Sequence, residues 1–238
     1  MEITKVDFKL HSIIMLVGPD NSGQTNFIFK LTQELKKSSS ANKKISIAHV
    51  NMQEIYSELT GQDSPDLHSV ECVQIKEQAV EIAMSKIKSF TSYPVNIDFI
   101  IINSSGLSSE FREGVIGIAI ENHYHVSAVV FNYKNQEEYF TVNNSVKVGP
   151  YPGQMKELRR AISGEMSKSK YESVHTIATR QFEKYECCVS DFSEYEKYIL
   201  PDDREYVVIS DVHGCFEELI ELLKKNGFEI DENGNILN

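Results

Sequence analysis

Four positions near the start of the chain have residue types and spacing that could hold a phosphate. Gly18 is followed by four residues and then by Gly23, Gln24 and Thr25. A phosphate-binding P-loop has Gly, four residues, Gly, Lys and then Ser or Thr, so only Gln24 departs from it. Such a loop binds phosphate through backbone N–H groups and the positive end of the following helix. We therefore predict a site for ATP and Mg²⁺ at Gly18, Ser22, Gly23, Gln24 and Thr25, with the Thr25 hydroxyl on the metal.

The glutamine changes the chemistry expected at this site. The lysine of a P-loop neutralises charge on the β and γ phosphates while the phosphoryl group moves. Glutamine donates a hydrogen bond without charge, and charge-assisted hydrogen bonds are roughly twice as strong as neutral ones. We expect weaker nucleotide binding and a larger loss of transfer, about 10²–10³-fold for one electrostatic group. The alternative is that residues 18–25 are only a tight turn into a helix.

The elements that position this loop follow from the apolar patterns around it. An apolar run at 12–17 predicts a strand buried on both faces, and 24–37 predicts a helix. Further strands are predicted at 45–50, 97–102, 125–131 and 185–190. Helices are predicted at 69–90, 108–122, 136–142, 154–166 and 171–180. The alternation predicts an α/β fold of the P-loop kinase-like type, with a parallel sheet of about five strands and helices on both faces.

Ligands of such sheets bind beyond the carboxyl ends of the strands. The loop at 18–25, Asn51 and Asn103 each follow or end a predicted strand. We therefore expect these three positions to converge at one edge of the sheet. On the helix at 154–166, Lys156, Arg159 and Arg160 share one face and either contact phosphates or lie in solvent. Lys168, Lys170 and Arg180 extend this basic stretch.

The character of the chain changes near residue 200. We predict one domain at 1–200 and a truncated unit at 201–238, formed by a strand at 206–210 and an amphipathic helix at 216–226 as a C-terminal βα appendage. Between them lie Asp211 and His213, which are suitable ligands for transition metals. Two ligands cannot hold a catalytic metal pair, so we count them as a metal site only if a longer chain completes it. The alternative is a purely structural role.

With these landmarks in place, the chain resembles the kinase domain of bacterial polynucleotide kinase-phosphatase, over nearly its whole length and at low similarity. After the loop, the resemblance is carried by residues 98–103 (DFIIIN), 126–132 (VSAVVFN) and 209–215 (ISDVHGC). In that family the last motif opens a metallophosphoesterase domain directly after the kinase. The resemblance implies ATP-dependent transfer of a phosphate to the 5′-hydroxyl end of a polynucleotide.

The same resemblance implies that catalytic groups have been replaced. The family's general base is an aspartate after the second strand, and Asn51 occupies its place; an amide cannot take the substrate proton. Gln24 replaces the lysine, and Asn103 replaces an aspartate at the end of the third strand. Glu54 falls where an arginine is expected, and the lid at 143–147 offers only Lys147. Gln24 and Asn51 are therefore the two positions at which we expect catalysis to have been altered.

Composition limits the other classes of function. The net charge is −11, and residues 181–238 hold 15 of the 35 acidic but only 5 of the 24 basic residues. That segment would repel nucleic acid, whereas the rest is nearly neutral. No apolar run approaches the roughly 18 residues of a membrane span, and Met1–Lys5 does not resemble a signal peptide. The four cysteines have no metal or disulfide spacing, which is typical of reduced thiols in the cytoplasm.

Three hypotheses follow from the sequence. The first is a degenerate kinase-like domain that binds ATP or an RNA or DNA 5′ end with little or no phosphoryl transfer. The second is a working ATP-dependent polynucleotide 5′-kinase that uses substitute residues. The third is a structural or regulatory subunit that binds no nucleotide. No membrane partner is expected, and the sequence leaves a homo-oligomer open.

Overall fold

A computed structural model of the chain describes residues 3–20, 22–40, 43–63, 72–132, 153–166, 170–177, 182–198, 200, 205–231 and 234–237. The predicted helix at 136–142, the lid at 143–147, Lys168 and Arg180 lie outside the described residues. The chain divides into two compact units, 1–199 and 200–238. Each unit is described by itself.

A parallel sheet forms the centre of the first unit. The strands of this unit are β1 (Thr4–Phe8), β2 (Ser12–Val17), β3 (Ile47–Asn51), β4 (Phe99–Asn103), β5 (His125–Phe131), β6 (Ser173–Ile177) and β7 (Tyr185–Val189). Five of them pair in the order β3-β4-β2-β5-β6, and every pairing is parallel. All residues of the central strand β2 are buried. A strand covered on both faces has no polar alternation, which is why this one was predictable from its sequence.

Helices cover both faces of this sheet. They are α1 (Gln24–Lys37), α2 (Met52–Thr60), α3 (Val73–Thr91), α4 (Ser109–Glu121), α5 (Gln154–Arg160) and α6 (Phe192–Glu196). Because successive side chains of a strand point to opposite faces, Ile13, Met15 and Val17 of β2 pack with α2, α3 and α4. Ile14 and Leu16 pack on the other face with α1, β1 and β7. The predicted α/β fold with helices on both faces is confirmed.

Several predicted elements differ in the structure. The helix predicted at 171–180 is wrong, because Ser173–Ile177 is strand β6, an edge strand paired with β5. The strand predicted at 185–190 forms as β7, but it pairs with β1 outside the main sheet. Neither β1 nor α2 was predicted. These errors concern short elements of five to nine residues, whose state depends on a distant partner as much as on local pattern.

In the described part of the second unit there is one helix, α7 (Phe216–Lys225), as predicted within a residue. The strand predicted at 206–210 does not form. A strand needs a neighbour for its backbone hydrogen bonds, and the described part of this unit offers only an isolated bridge between Ile230 and Ile236. Val208, in the middle of the predicted strand, is 90% exposed. Across the described residues of both units, no helix is long and apolar enough to cross a membrane.

Candidate functional site

The predicted phosphate loop connects the carboxyl end of β2 to the start of α1. Gly23 caps the helix with φ of 94°, a left-handed conformation that favours glycine. A Cβ on Gly18 would lie 2.7 Å from Cβ of Phe131, so a larger residue does not fit there. Ser22 is buried and Thr25 is exposed. Because the N-cap is a glycine, no side-chain hydrogen bond caps the first turn of the helix. Both motif glycines thus have a geometric reason in this structure.

Gln24 does not extend into solvent. It is 9% exposed, and its Nε2 donates to the carbonyl oxygen of Ser104 at 3.2 Å. Ser104 directly follows β4, so the glutamine joins the loop to the neighbouring strand end. The one charged group that a P-loop places here is replaced by a neutral amide that is already hydrogen-bonded within the protein.

The backbone after β4 forms a wall beside the loop. The N–H of Gly18 donates to the carbonyl of Ser105 at 2.8 Å. Arg112 of α4, which is 2% exposed, donates to the carbonyls of Gly106 and Leu107 at 2.6 and 2.8 Å. This buried guanidinium therefore fixes the backbone on which the loop rests.

Asn51 is the last residue of β3 and the N-cap of α2. Its Oδ1 accepts from the N–H of Gln53 at 3.1 Å, and its Nδ2 donates to Glu54 at 2.9 Å. A side chain of this kind satisfies helix N–H groups that have no partner within the helix. Asn51 is also the register neighbour of Asn103. The two amides predicted to converge at the carboxyl edge thus lie at the ends of adjacent strands.

A contact that the sequence did not indicate joins Asp20 in the loop to Gln154, the first residue of α5. The Asp20 N–H donates to Oε1 of Gln154 at 3.1 Å, and Nε2 of Gln154 donates to Oδ2 of Asp20 at 2.7 Å. Tyr56 of α2 is near as well, since burial and the negative charge of Asp20 both raise its pKa. Asp20 and Gln154 are 134 positions apart in the chain, and no sequence pattern indicates that they are in contact.

Of the predicted basic residues, the structure describes Lys156, Arg159, Arg160 and Lys170. Lys156, Arg159 and Arg160 lie on α5, and all three are exposed. Lys170 instead pairs with Glu113 of α4 at 2.8 Å. Gln24, Asn51 and Asn103 contribute only neutral amides to the carboxyl edge of the sheet. The acidic groups in the described contacts of the loop and of Asn51 are Asp20 and Glu54.

Asp211 and His213 lie in the second unit. Nε2 of His213 is 3.1 Å from Oδ2 of Asp211, and both side chains are largely exposed. Within the described ranges, no three His, Cys, Asp or Glu side chains come together as metal ligands. The structure therefore brings this pair into contact without assembling a metal centre around it.

A parallel sheet in this order, with a glycine loop leading from its central strand into a helix, defines a P-loop kinase-like α/β fold. No known protein-family model matches the chain, and no curated protein matches it either.

Several solved structures are distantly similar to the chain. Kti12 of Chaetomium thermophilum in complex with ADP-AlF3 aligns with 12% identity and a TM-score of 0.46, covering 79% of this chain and 99% of its own. A structure from the PezAT toxin-antitoxin system of Streptococcus pneumoniae aligns with 14% identity and a TM-score of 0.45, covering 93% of this chain and 87% of its own. A gluconokinase from Sinorhizobium meliloti 1021 aligns with 10% identity and a TM-score of 0.37, covering 92% of this chain and 99% of its own. At TM-scores below 0.5, none of their properties is carried over to this chain.

Proposed function

We propose that the first unit is a degenerate polynucleotide 5′-hydroxyl kinase-like domain. It binds a nucleotide or a nucleic-acid end and transfers little or no phosphate. The observation that carries this proposal is the Gln24 carboxamide, which stands where a P-loop has lysine and donates to the carbonyl of Ser104. A loop built to receive phosphate has therefore no cation at the position that stabilises its transfer.

Binding is supported by the parts of the loop that do not depend on residue 24. Gly18 and Gly23 keep the tight backbone path, and the start of α1 presents N–H groups without a side-chain cap. Thr25 is exposed at this helix end and can offer its hydroxyl to Mg²⁺. Helix N-termini of this kind attract phosphate through N–H groups and the helix dipole.

Loss of transfer is supported by Asn51. Its amide oxygen and nitrogen both have partners, in Gln53 and Glu54, so it acts as a helix cap. A general base must accept a proton from the substrate hydroxyl, which an amide cannot do at neutral pH. The change at 24 removes a cation, and the change at 51 removes a base.

On this proposal, the second unit is metallophosphoesterase-like. Asp211 and His213 supply two ligand types of such a site but do not complete it. RNA or DNA 5′ ends are the proposed partners of the first unit, and the cytoplasm is the proposed location.

Two measurements on one set of variants test the proposed function. Calorimetry with Mg-ATP measures binding, and γ-labelled ATP with 5′-hydroxyl RNA and DNA oligonucleotides measures transfer. We expect weak ATP binding and transfer near background for the wild-type chain. Gln24→Lys should strengthen ATP binding about ten-fold, because the new ammonium makes a charge-assisted hydrogen bond. Transfer should rise clearly only when Asn51→Asp is combined with it.

Gln74→Lys is the matched control, since it adds the same charge at an exposed position on α3. It should leave ATP binding unchanged. Ordinary kinase turnover by the wild-type chain would instead establish the working kinase. Absence of any nucleotide binding in both the wild type and Gln24→Lys would favour the structural or regulatory subunit.

A further inference from the structure

Several N–H groups of the phosphate loop already have acceptors within the protein. Gly18 donates to Ser105 at 2.8 Å, and Ser22 donates to the carbonyl of Pro19 at 3.3 Å. Asp20 donates to Gln154 at 3.1 Å. Pro19 has no N–H to offer. In the amino-terminal half of the loop, each N–H of a residue that the structure describes thus already has an acceptor.

Among the loop residues that the structure describes, the donors left for a ligand lie at the other end. Gly23, Gln24 and Thr25 form the start of α1, where no side-chain cap is present. One phosphate group, with three terminal oxygens, matches the donors of a single helix end. A chain of phosphates would have to extend along the loop, over N–H groups that already donate to Gln154 and Ser105.

The charge of Asp20, like the hydrogen bonds of the loop, disfavours a chain of phosphates. The Asp20 carboxylate lies in the loop and is held by Nε2 of Gln154 at 2.7 Å. Each added phosphate brings further negative charge towards this carboxylate, and like charges a few ångströms apart repel strongly when partly buried. The neutral amide of Gln24 supplies no compensating charge.

We propose that the loop favours a ligand with a single phosphate group, such as a nucleoside monophosphate, and that the Asp20–Gln154 pair weakens binding of the triphosphate. This inference rests on the proposed function, because it assumes that the loop binds nucleotides. It makes Asp20 and Gln154 specificity-determining residues. Because Gln154 is the first residue of α5, the position of this helix affects how many phosphate groups the loop can bind.

Two variants separate the contributions of the pair. Gln154→Ala removes both hydrogen bonds and leaves the carboxylate in place. Asp20→Asn removes the charge and keeps an acceptor for Gln154. Gln74→Ala on α3 is the control, because it truncates an exposed glutamine near the start of another helix. Calorimetry compares AMP with ATP, each with and without Mg²⁺, for all four proteins.

We expect the wild-type chain to bind AMP at least as tightly as ATP. Each loop variant should raise ATP affinity about ten-fold, the equivalent of one hydrogen bond to a charged group, and change AMP affinity by less than about two-fold. The control should alter neither. Amide hydrogen exchange at Asp20 supplies a second readout: exchange should be faster in Gln154→Ala, while exchange in β5 stays slow.

Tighter binding of ATP than of AMP by the wild type would overturn the inference, as would equal changes in both affinities in the variants. Binding of neither nucleotide by the wild type would count against the proposed function of the natural chain. In that case, ATP binding gained by Gln154→Ala or Asp20→Asn would still support the inference, because it would show that the Asp20–Gln154 pair prevents ATP binding completely. If no variant bound either nucleotide, both proposals would fall.

Discussion

Gly106 holds the backbone conformation on which the phosphate loop rests. Its φ is +60°, and a Cβ there would lie 2.5 Å from the carbonyl oxygen of Leu16 in β2. We predict that Gly106→Ala lowers the free energy of unfolding by about 3 kcal/mol or more. About 1–2 kcal/mol comes from the left-handed conformation, and the remainder comes from the collision with β2. Urea denaturation measures the loss.

Gly61 is a matched control for this substitution. It has a nearly equal φ of +67°, but no atom lies within 4 Å of the Cβ position. Gly61→Ala should therefore cost only the conformational part, about 1–2 kcal/mol. Equal losses in the two variants would show that the close approach to β2 does not matter, and that the wall beside the loop can shift to admit a methyl group.

At the same scale, the site was only partly readable from the sequence. The glycine spacing and Gln24 were readable, because strand, loop and helix are consecutive in the chain. The partner of Gln24 lies 80 residues away, and the partner of Asp20 lies 134 residues away. Which loop donors are available is decided by these distant contacts. No local pattern carries that information.

Between elements, Glu34 joins helix α1 to strand β7. Its side chain is 15% exposed, and it accepts from Lys30 and from the N–H of Cys187, both at 2.7 Å. We predict that Glu34→Ala lowers the free energy of unfolding by about 2–3 kcal/mol, because the N–H of Cys187 loses a charged acceptor. Glu34→Gln should cost less, since its amide oxygen can still accept. Urea denaturation of both variants tests this order.

Glu81 on α3 provides the comparison, because it is exposed in the structure. Glu81→Ala should change the free energy of unfolding by no more than about 0.5 kcal/mol. If Glu34→Ala had an equally small effect, the link between α1 and β7 would contribute little. A loss in Glu34→Gln as large as in Glu34→Ala would instead assign the effect to the charge.

Elements were predictable where burial alone determines them. Strands β2 and β5 appear at the predicted residues, because their apolar runs are buried on both faces of the sheet. By contrast, β6 lies at the sheet edge and three of its five residues are polar, so local pattern favoured a helix. The strand predicted at 206–210 has the right composition but no paired neighbour. Short apolar runs state a propensity, and pairing decides the outcome.

For the whole molecule, the stability of the fold depends on pH through groups that are buried in one protonation state. Burial lowers the pKa of His11, whose Nε2 lies 3.3 Å from the hydroxyl of Tyr195. Burial raises the pKa of Glu34, but the hydrogen bonds from Lys30 and Cys187 outweigh it, so the net shift is downward. A group with a lowered folded pKa contributes stability above its unfolded pKa and loses it as pH falls.

Cys187 acts in the opposite direction. Burial, and then the charge of Glu34, raises the pKa of its thiol from 9.0 to about 12. A raised folded pKa contributes stability below the unfolded value and loses it as pH rises through the folded value. We therefore predict a stability plateau between about pH 6.5 and pH 9, the unfolded pKa values of His11 and Cys187. On the acid side, a first decrease should follow His11 and a second should follow Glu34 below about pH 4.5.

Urea denaturation at pH 4, 5.5, 7.5, 9 and 10 measures this profile, and two variants identify its sources. Glu34→Gln should flatten the decrease below pH 4.5. Cys187→Ala should lower stability at every pH, because a buried side chain is truncated, but it should reduce the slope between pH 9 and pH 10. That interval is informative because tyrosines, with an unfolded pKa of 10.0, are only beginning to ionise. An unchanged slope in Cys187→Ala would exclude the buried thiol as the alkaline-sensitive group and leave Cys188, whose pKa burial also raises, as the next residue to replace.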